Sequence, residues 1–481
     1  MAITRAHAAR DVLIQIVGRI GNLVLGVVVV VTIARTLGVD GNGEWSTLIA
    51  ISTLSAYVGD PGLQTAVVRM ATADPDEEAS WLGALLTLRF LTGLIAALLC
   101  FGVSVTVATG PSMVIAGALI SATGLLSATQ SLAVVFQLRV RNDRAIAFMT
   151  LNSVLWTTGA VAVAVLGGGL VAFAAMFLIT STLTAAAQAV HVWRHTPVVL
   201  DGLRRHGRQL LRVGLVLGLG SALTIAYGKI DQILVLHYQG TRGAGLYGAA
   251  YSLLDRVQFL PVVLMTTVFP IVSAAWPADP GRARRAVYRT LDYMAIVSFA
   301  ALAFTIAAAR PLLLLLFGKQ FAPAAGALQV LMGAFIPGCL GYVVGYVVLI
   351  VDRQQILVLF ALAGLLFNVV GNVLLLPRYG YIAAAWMTLA TEVVVICPAA
   401  IVAFRAMHLA PDLRRLPRIA VAAAIMGGSV WIAAEAGAGI VWLGLVGATV
   451  YTVATLGTGA ITPDDRAELM LWLRGRIRSR D

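Results

Sequence analysis

The chain has 481 residues, 60% of them hydrophobic and only 12% charged, with a formal net charge of +12. A soluble domain carries about 25% charged residues, so a water-covered protein of this size is excluded, and a mean hydropathy of +0.91 belongs to a polytopic membrane protein. Long unbroken apolar blocks exclude disorder, collagen and coiled coil, and the positive balance reads as basic cytoplasmic loops rather than nucleic-acid binding.

A helix crossing about 30 Å of hydrocarbon needs about 20 apolar residues. Fourteen candidate spans follow in chain order: 12–34, 45–68, 81–107, 112–138, 147–166, 170–193, 213–237, 245–273, 290–316, 324–351, 355–376, 381–404, 418–436 and 439–460. The first is too long for the apolar core of a cleavable signal and no small-residue cleavage motif follows it, so no leader is expected. Gly167-Gly168-Gly169 and Gly437-Ala438-Gly439 read as hairpins between spans, and the longest polar loop is about 194–212. Cys100, Cys339 and Cys397 sit in apolar blocks without a CxxC partner, which argues against a disulfide framework or a zinc site. Arginine outnumbers lysine 32 to 2, a bias that fits a GC-rich bacterial genome.

An even number of spans puts both termini on one side. Of the 34 basic residues, 25 fall on that side and 4 on the other (Arg35, Arg242, Lys319, Arg378), while 5 lie inside spans (Arg19, Arg89, Lys229, Arg256, Arg310). The asymmetry orients the termini to the cytoplasm. The basic segment 463–481, with Leu469, Trp472, Leu473 and Ile477 beside Arg474, Arg476, Arg478 and Arg480, reads as an orientation signal lying on anionic headgroups or as a partner-docking helix.

The chain repeats itself at an offset of 202 residues: Leu37-Gly38-Val39-Asp40-Gly41-Asn42-Gly43-Glu44-Trp45 aligns with Gln239-Gly240-Thr241-Arg242-Gly243-Ala244-Gly245-Leu246-Tyr247. Three glycines and one aromatic coincide, each time between an odd span and the next. The glycines are expected to supply positive φ for a tight turn and the aromatic to sit at the membrane interface. Two six-span halves in parallel orientation follow, with substrate expected between them. The division is 1–200 (spans 1–6), 201–410 (spans 7–12), 411–462 (two extra spans) and the basic tail 463–481.

Three motifs stand out: Ala34-Arg35-Thr36-Leu37-Gly38 with Gly43, Tyr227-Gly228-Lys229-Ile230-Asp231-Gln232-Ile233 running on to Phe269-Pro270, and Leu316-Phe317-Gly318-Lys319-Gln320-Phe321. They resemble the polysaccharide flippases of the multidrug/oligosaccharidyl-lipid/polysaccharide (MOP) exporter superfamily. The stretch Asn368 to Asn372, followed by Leu376-Pro377-Arg378-Tyr379-Gly380, matches as well. The family's Gly-Ala-Ala signature reads Ile382-Ala383-Ala384-Ala385 here, and the last two spans match only in hydrophobicity. The resemblance implies an all-α, two-lobed, V-shaped transporter that moves a lipid-linked oligosaccharide by alternating access.

Charges inside the spans are costly, about 2.5–3.5 kcal/mol each on insertion scales, and should face protein or water. At about 1.5 Å per residue, Arg19, Arg89 and Asp60 fall in the cytoplasmic half, Asp255, Arg256 and Glu392 near the midplane, and Lys229, Asp231 and Arg310 in the outer half. One reading makes Arg19, Arg89, Lys229 and Arg256 contacts for a lipid diphosphate headgroup, since Arg matches phosphate oxygens bidentately and Lys acts as a point charge. Asp60, Asp231, Asp255 and Glu392 would then hold those cations or couple to an ion. The other reading makes the same groups static ion pairs between helices. Asn368 and Asn372 share a helical face, for sugar hydroxyls or for interhelical hydrogen bonds. Pro61, Pro261 and Pro270 are expected to kink spans 2 and 8.

No catalytic set is visible. His191, His195 and His206 lack metal-ligand geometry, and there is no Walker A pattern, so neither an enzyme nor a built-in ATPase is expected. The reading is a flippase for an undecaprenyl-diphosphate-linked oligosaccharide in the bacterial inner membrane. It needs no cofactor and is driven by H+, Na+ or the membrane potential. Its partners are the lipid-linked substrate and the membrane, with polysaccharide polymerase and glycosyltransferases as candidates and no nucleic acid. The rivals are a lipid II flippase, a cation-coupled drug antiporter of the same superfamily, and a non-transporting scaffold.

Overall fold

The computed structural model describes residues 5–139, 142–194, 196, 202–276, 278–353, 355–410 and 412–462, with the side chains of 5–17, 19, 20 and 142 left out. The basic segment 463–481 lies outside the described residues. All regular structure among them is helical. Among the described residues twelve stretches are long and apolar enough to cross a membrane, and the chain is a multi-pass membrane protein. Two of the twelve, Gly21–Ala73 with 53 residues and Gly202–Ala275 with 74, are long enough for two crossings each. Counted so, they restore the fourteen spans read from the sequence.

The chain packs into two compact units. One is Met1–Ser252 with Ala361–Ala384. It contains α1 (Arg5–Gly59), α2 (Leu63–Ala73), α3 (Glu78–Val107), α4 (Pro111–Ala122), α5 (Ser127–Gln130), α6 (Ala133–Leu138), α7 (Asn142–Val165), α8 (Leu170–Trp193) and most of α9 (Gly202–Val257). The other is Leu253–Phe360 with Ala385–Asp481. It contains α10 (Phe259–Ala275), α11 (Pro280–Leu316), α12 (Ala325–Ile350) and most of α14 (Tyr381–Ala406), preceded in the chain by α13 (Gln355–Tyr379) of the first unit. It ends with α15 (Leu416–Glu435) and α16 (Ile440–Gly457).

In the first unit the repeat is visible in the backbone. α1 is broken at Gly38 (φ 68, ψ −168) and α9 at Gly240 (φ 65, ψ −171), nearly the same conformation at equivalent positions. Only this first glycine of each trio takes positive φ; the other two serve a different need. A Cβ on Gly41 would lie 2.7 Å from the Leu37 Cβ, and one on Gly243 would lie 2.5 Å from the Gln239 Cβ. A Cβ on Gly43 would fall onto the Thr241 carbonyl oxygen, and one on Gly245 onto the Val39 carbonyl oxygen. Val39 and Gly43 are the repeat equivalents of Thr241 and Gly245, so the two copies meet at a reciprocal glycine seam. Asn42 donates to the Gly245 carbonyl at 2.9 Å, and Thr241 donates to Asp40 at 2.6 Å.

The aligned aromatics turn inward. Trp45 is buried and stacks on Trp156 with centroids 5.9 Å apart, and Tyr247 is fully buried. In the second unit, α15 and α16 pack on α11 through small residues, as membrane helices do. Gly427 faces Ala303, Gly447 faces Phe304 and Val430, and Tyr451 donates to the Ile296 carbonyl at 2.7 Å. Large apolar side chains such as Leu98, Leu374 and Val441 remain exposed, as lipid contact requires.

The seam sets a first test. Gly245→Ala and Gly43→Ala each push a methyl onto a backbone carbonyl and should destabilise the protein by about 1–3 kcal/mol, the usual cost of overpacking. A methyl on Gly102 meets nothing within 4 Å, so Gly102→Ala should hold or raise the melting temperature. Thermal unfolding in detergent reads all three.

Candidate functional site: polar groups inside the apolar spans

The predicted kink of span 2 is a complete break at Asp60-Pro61-Gly62, between α1 and α2, and Gly62 has φ 84. Proline has no N–H to continue the ladder, and inside a membrane the freed backbone groups need partners from the protein. Asp60 answers on one side: its Oδ1 accepts from the Leu63 N–H at 2.8 Å and its Oδ2 from the Gln64 amide at 2.7 Å. Arg89 answers on the other, donating through Nη1 to the Gly59 carbonyl, which also accepts from Thr92 at 2.6 Å. Arg89 Nε donates to Ser131 at 2.7 Å. The Arg89–Asp60 separation is 3.9 Å, a loose pair. Arg89 thus caps a broken helix end, where the partial negative charge of terminal carbonyls favours a cation.

The break also rests on α9. A Cβ on Gly218 would clash with the Pro61 carbonyl group, and one on Gly214 would lie 3.0 Å from the Leu63 side chain. The spacing of those two glycines is the small-xxx-small pattern of close helix approach.

Asp231, Asn368 and Asn372 form a second group, all fully buried. Tyr247 donates to Asp231 Oδ2 at 3.0 Å, and the Asn372 amide donates to Asp231 Oδ1 at 3.2 Å and to Asn368 Oδ1 at 3.1 Å. The Asn372 Oδ1 is buried with no hydrogen-bond partner among the described residues. A carboxyl and an unspent amide oxygen therefore sit together in a water-poor place, where an unpaired acceptor is costly. Beside them Lys229 places its ammonium 4.4 Å from the Tyr251 ring centroid, a cation–π geometry. Tyr251 in turn donates to the Gly228 carbonyl at 2.5 Å.

In the second unit, Asp255 is carried by α9, Tyr342 by α12 and Glu392 by α14. Arg256 lies next to Asp255 in sequence, and its Nε is buried without a hydrogen-bond partner among the described residues. Arg310 is exposed. The Arg19 backbone belongs to α1, but its side chain lies outside the described residues. His195 also lies outside them; His191 is held by Arg144 at 2.9 Å, and His206 stacks on Trp81 with centroids 3.8 Å apart. Among the described residues no group of three or more His, Cys, Asp or Glu could hold a metal.

Sequence reasoning missed two contributors. Gln232 is buried and bridges the repeat copies, donating to the Ala244 carbonyl at 2.9 Å and to Ser46 at 3.0 Å. Its position beside Asp231 in an apolar span was the available signal. The other is a set of serines on α1, α4 and α8 that face a common cavity; helical serines are too ordinary to stand out.

The structure matches "Lipid II flippase MurJ, inward closed conformation" with a TM-score of 0.75 at 12% identity, covering 92% of this chain and 98% of that one. It matches an inward-facing multidrug resistance MATE transporter of the MOP superfamily with a TM-score of 0.64 at 16% identity, covering 81% and 96%. A MOP superfamily transporter from Pyrococcus furiosus, described as having a binding pocket of reversed polarity, matches with a TM-score of 0.54 at 15% identity, covering 85% and 95%. The fold is the one these solved structures share. The polysaccharide biosynthesis protein family matches residues 32–326, and the chain belongs to that family. No curated protein matches the sequence.

Asn372→Ala removes the amide donor from Asp231 and should lower stability by about 1–3 kcal/mol, the cost of leaving a buried polar group short of a partner. Thermal unfolding against Asn368→Ala and Tyr247→Phe ranks the three contributions.

Proposed function

We propose that this protein is a flippase that carries an undecaprenyl-diphosphate-linked oligosaccharide from the cytoplasmic to the outer leaflet of the bacterial inner membrane by alternating access. The family carries this reading: a polysaccharide biosynthesis protein on a MOP fold has a physical step to perform. A saccharide built on a lipid diphosphate cannot drag its polar head through hydrocarbon unaided.

The headgroup contacts are Arg19, Lys229 and Arg256. Arg256 keeps a buried N–H unspent, and the Lys229 ammonium lies over an aromatic face rather than in hydrocarbon. Arg89 contributes less to the headgroup, because two of its nitrogens serve Ser131 and Gly59. Energy comes from an ion gradient or the membrane potential, and the Asp231–Asn368–Asn372 group is the coupling site: carboxyl and amide oxygens suit a proton or a hard cation. Asp60, Asp255 and Glu392 position the cations. Both termini lie in the cytoplasm, and a polysaccharide polymerase and glycosyltransferases are the partners in the membrane.

Charge reversal tests the reading. Lys229→Glu, Arg256→Glu and Arg19→Glu should each abolish glycan export in a complementation assay and headgroup flipping in proteoliposomes. If all three sustain normal export, the cationic contacts are wrong. Asp231→Asn is nearly isosteric and should leave the folded protein intact while removing the dependence of flipping on the Na+ or H+ gradient.

A second reading, a lipid II flippase, is favoured by the TM-score of 0.75 to a protein of that name. Depletion distinguishes the two. Loss of viability supports the lipid II substrate, and a viable, glycan-deficient cell supports the oligosaccharide.

A further inference from the structure

The first unit holds a partly open cavity of about 190 Å3 between the second arm of α1, α3, α4, α5 and α8. Two stretches of irregular backbone border it: the broken end of α1 at Gly59, and the 3-10 turn Thr123–Leu126 that follows α4. Discontinuous helices at membrane depth are tolerated where they line a polar cavity, and such places are where membrane carriers bind polar ligands.

The lining chemistry is specific. Ser52, Ser55, Ser121, Thr123, Ser127 and Ser181 turn toward the cavity, and Arg89 lies at one end. Ser121, Thr123 and Ser127 have spent their hydroxyl protons on the Gly117, Ile120 and Arg89 carbonyls. Ser52 and Ser181 make no hydrogen bond among the described residues, and Ser55 lines the cavity together with Cys100. Helical serines ordinarily donate to a carbonyl three or four residues back, so unspent hydroxyls facing this cavity are available to a ligand.

Arg89 is 6% exposed. Its Nε and Nη1 are engaged by Ser131 and Gly59, whereas its Nη2 makes no hydrogen bond among the described residues. No carboxylate lines the cavity, and the oxygens of nearby Asp60 are taken by Leu63 and Gln64. The loose Asp60 partner, 3.9 Å from Nη1, stands outside that lining, so the charged group the cavity itself presents is the Arg89 guanidinium. Arginine and hydroxyl donors converging on one space are the donor set of a phosphate oxygen cluster.

We propose that this cavity is a binding site for a phosphate-type oxyanion, held by Arg89 Nη2 and the hydroxyls of Ser52, Ser55 and Ser181. The volume admits a tetrahedral anion with some of its water but not a glycosylated diphosphate. The phosphate is either a free anion or the terminal phosphate of a lipid. The site lies wholly within one unit and goes beyond the export reading, because its readout is binding rather than transport.

The full chain in detergent is titrated with inorganic phosphate at fixed ionic strength, and separately with farnesyl diphosphate, with melting temperature as the readout. A rise with inorganic phosphate identifies a free anion, and a rise with farnesyl diphosphate alone identifies a lipid headgroup; both support the site. Arg89→Gln should abolish the response. Arg89 also supports the α1 break, so a second variant guards against misfolding. Ser52→Val with Ser181→Val breaks no internal hydrogen bond, fills the cavity, and should weaken binding about tenfold or more. No rise with either compound, or a rise that the paired serine variant leaves unchanged, overturns the proposal.

Discussion

Every irregular turn of backbone in this protein faces the same constraint: inside hydrocarbon a free N–H or C=O has no water to bind, so the protein must supply the partner. The buried polar side chains are placed accordingly. Arg89 and Thr92 serve the Gly59 carbonyl at the end of α1. Asp60 serves the N–H of Leu63 at the start of α2. Asn42 and Gln232 serve the Gly245 and Ala244 carbonyls beyond the α9 kink. Gln239 serves the Leu376 carbonyl ahead of Pro377 and the αL residue Gly380. Much of what looks like functional polarity in the sequence is thus first a condition for breaking helices at membrane depth.

That condition explains why helix breaks and charges occur together. Bends in a membrane span need backbone partners, and partners with a spare donor or acceptor can also bind a ligand. Arg89 shows the sequence of demands: two of its nitrogens are committed to structure, and the residue also lines a cavity. Asp231 shows the same economy with opposite sign, since its two oxygens are held by Tyr247 and Asn372 while the Asn372 oxygen stays unspent.

The internal repeat supplies the geometry. The Gly38 and Gly240 kinks have nearly identical dihedrals, which two unrelated turns would not share by accident of composition. The glycine trio divides its labour: the first residue takes a conformation that a side chain disfavours, the second clears the preceding turn, and the third lets one copy touch the other's carbonyl. The aligned aromatics have diverged. Trp45 packs in a ring cluster with Trp156 and Phe177, whereas Tyr247 donates to a carboxyl.

The fold was legible in the sequence because its governing quantities are local and one-dimensional. Span length, basic-residue asymmetry and the 202-residue offset are properties of the chain alone, and they yield an all-helical, repeat-built membrane protein. The break at Asp60-Pro61-Gly62 was legible for the same reason, since proline lacks a donor wherever it stands. The roles of the polar side chains were not, because a helix presents a residue to any of several neighbours and pattern does not say which. Only tertiary packing decided that Arg89 meets Gly59 rather than solvent, that Asp231 lies with Asn368 and Asn372, and that Ser52 and Ser55 of α1 line one cavity with Ser181 of α8. Hydropathy is summed along the chain, whereas hydrogen bonding is settled between segments far apart in it.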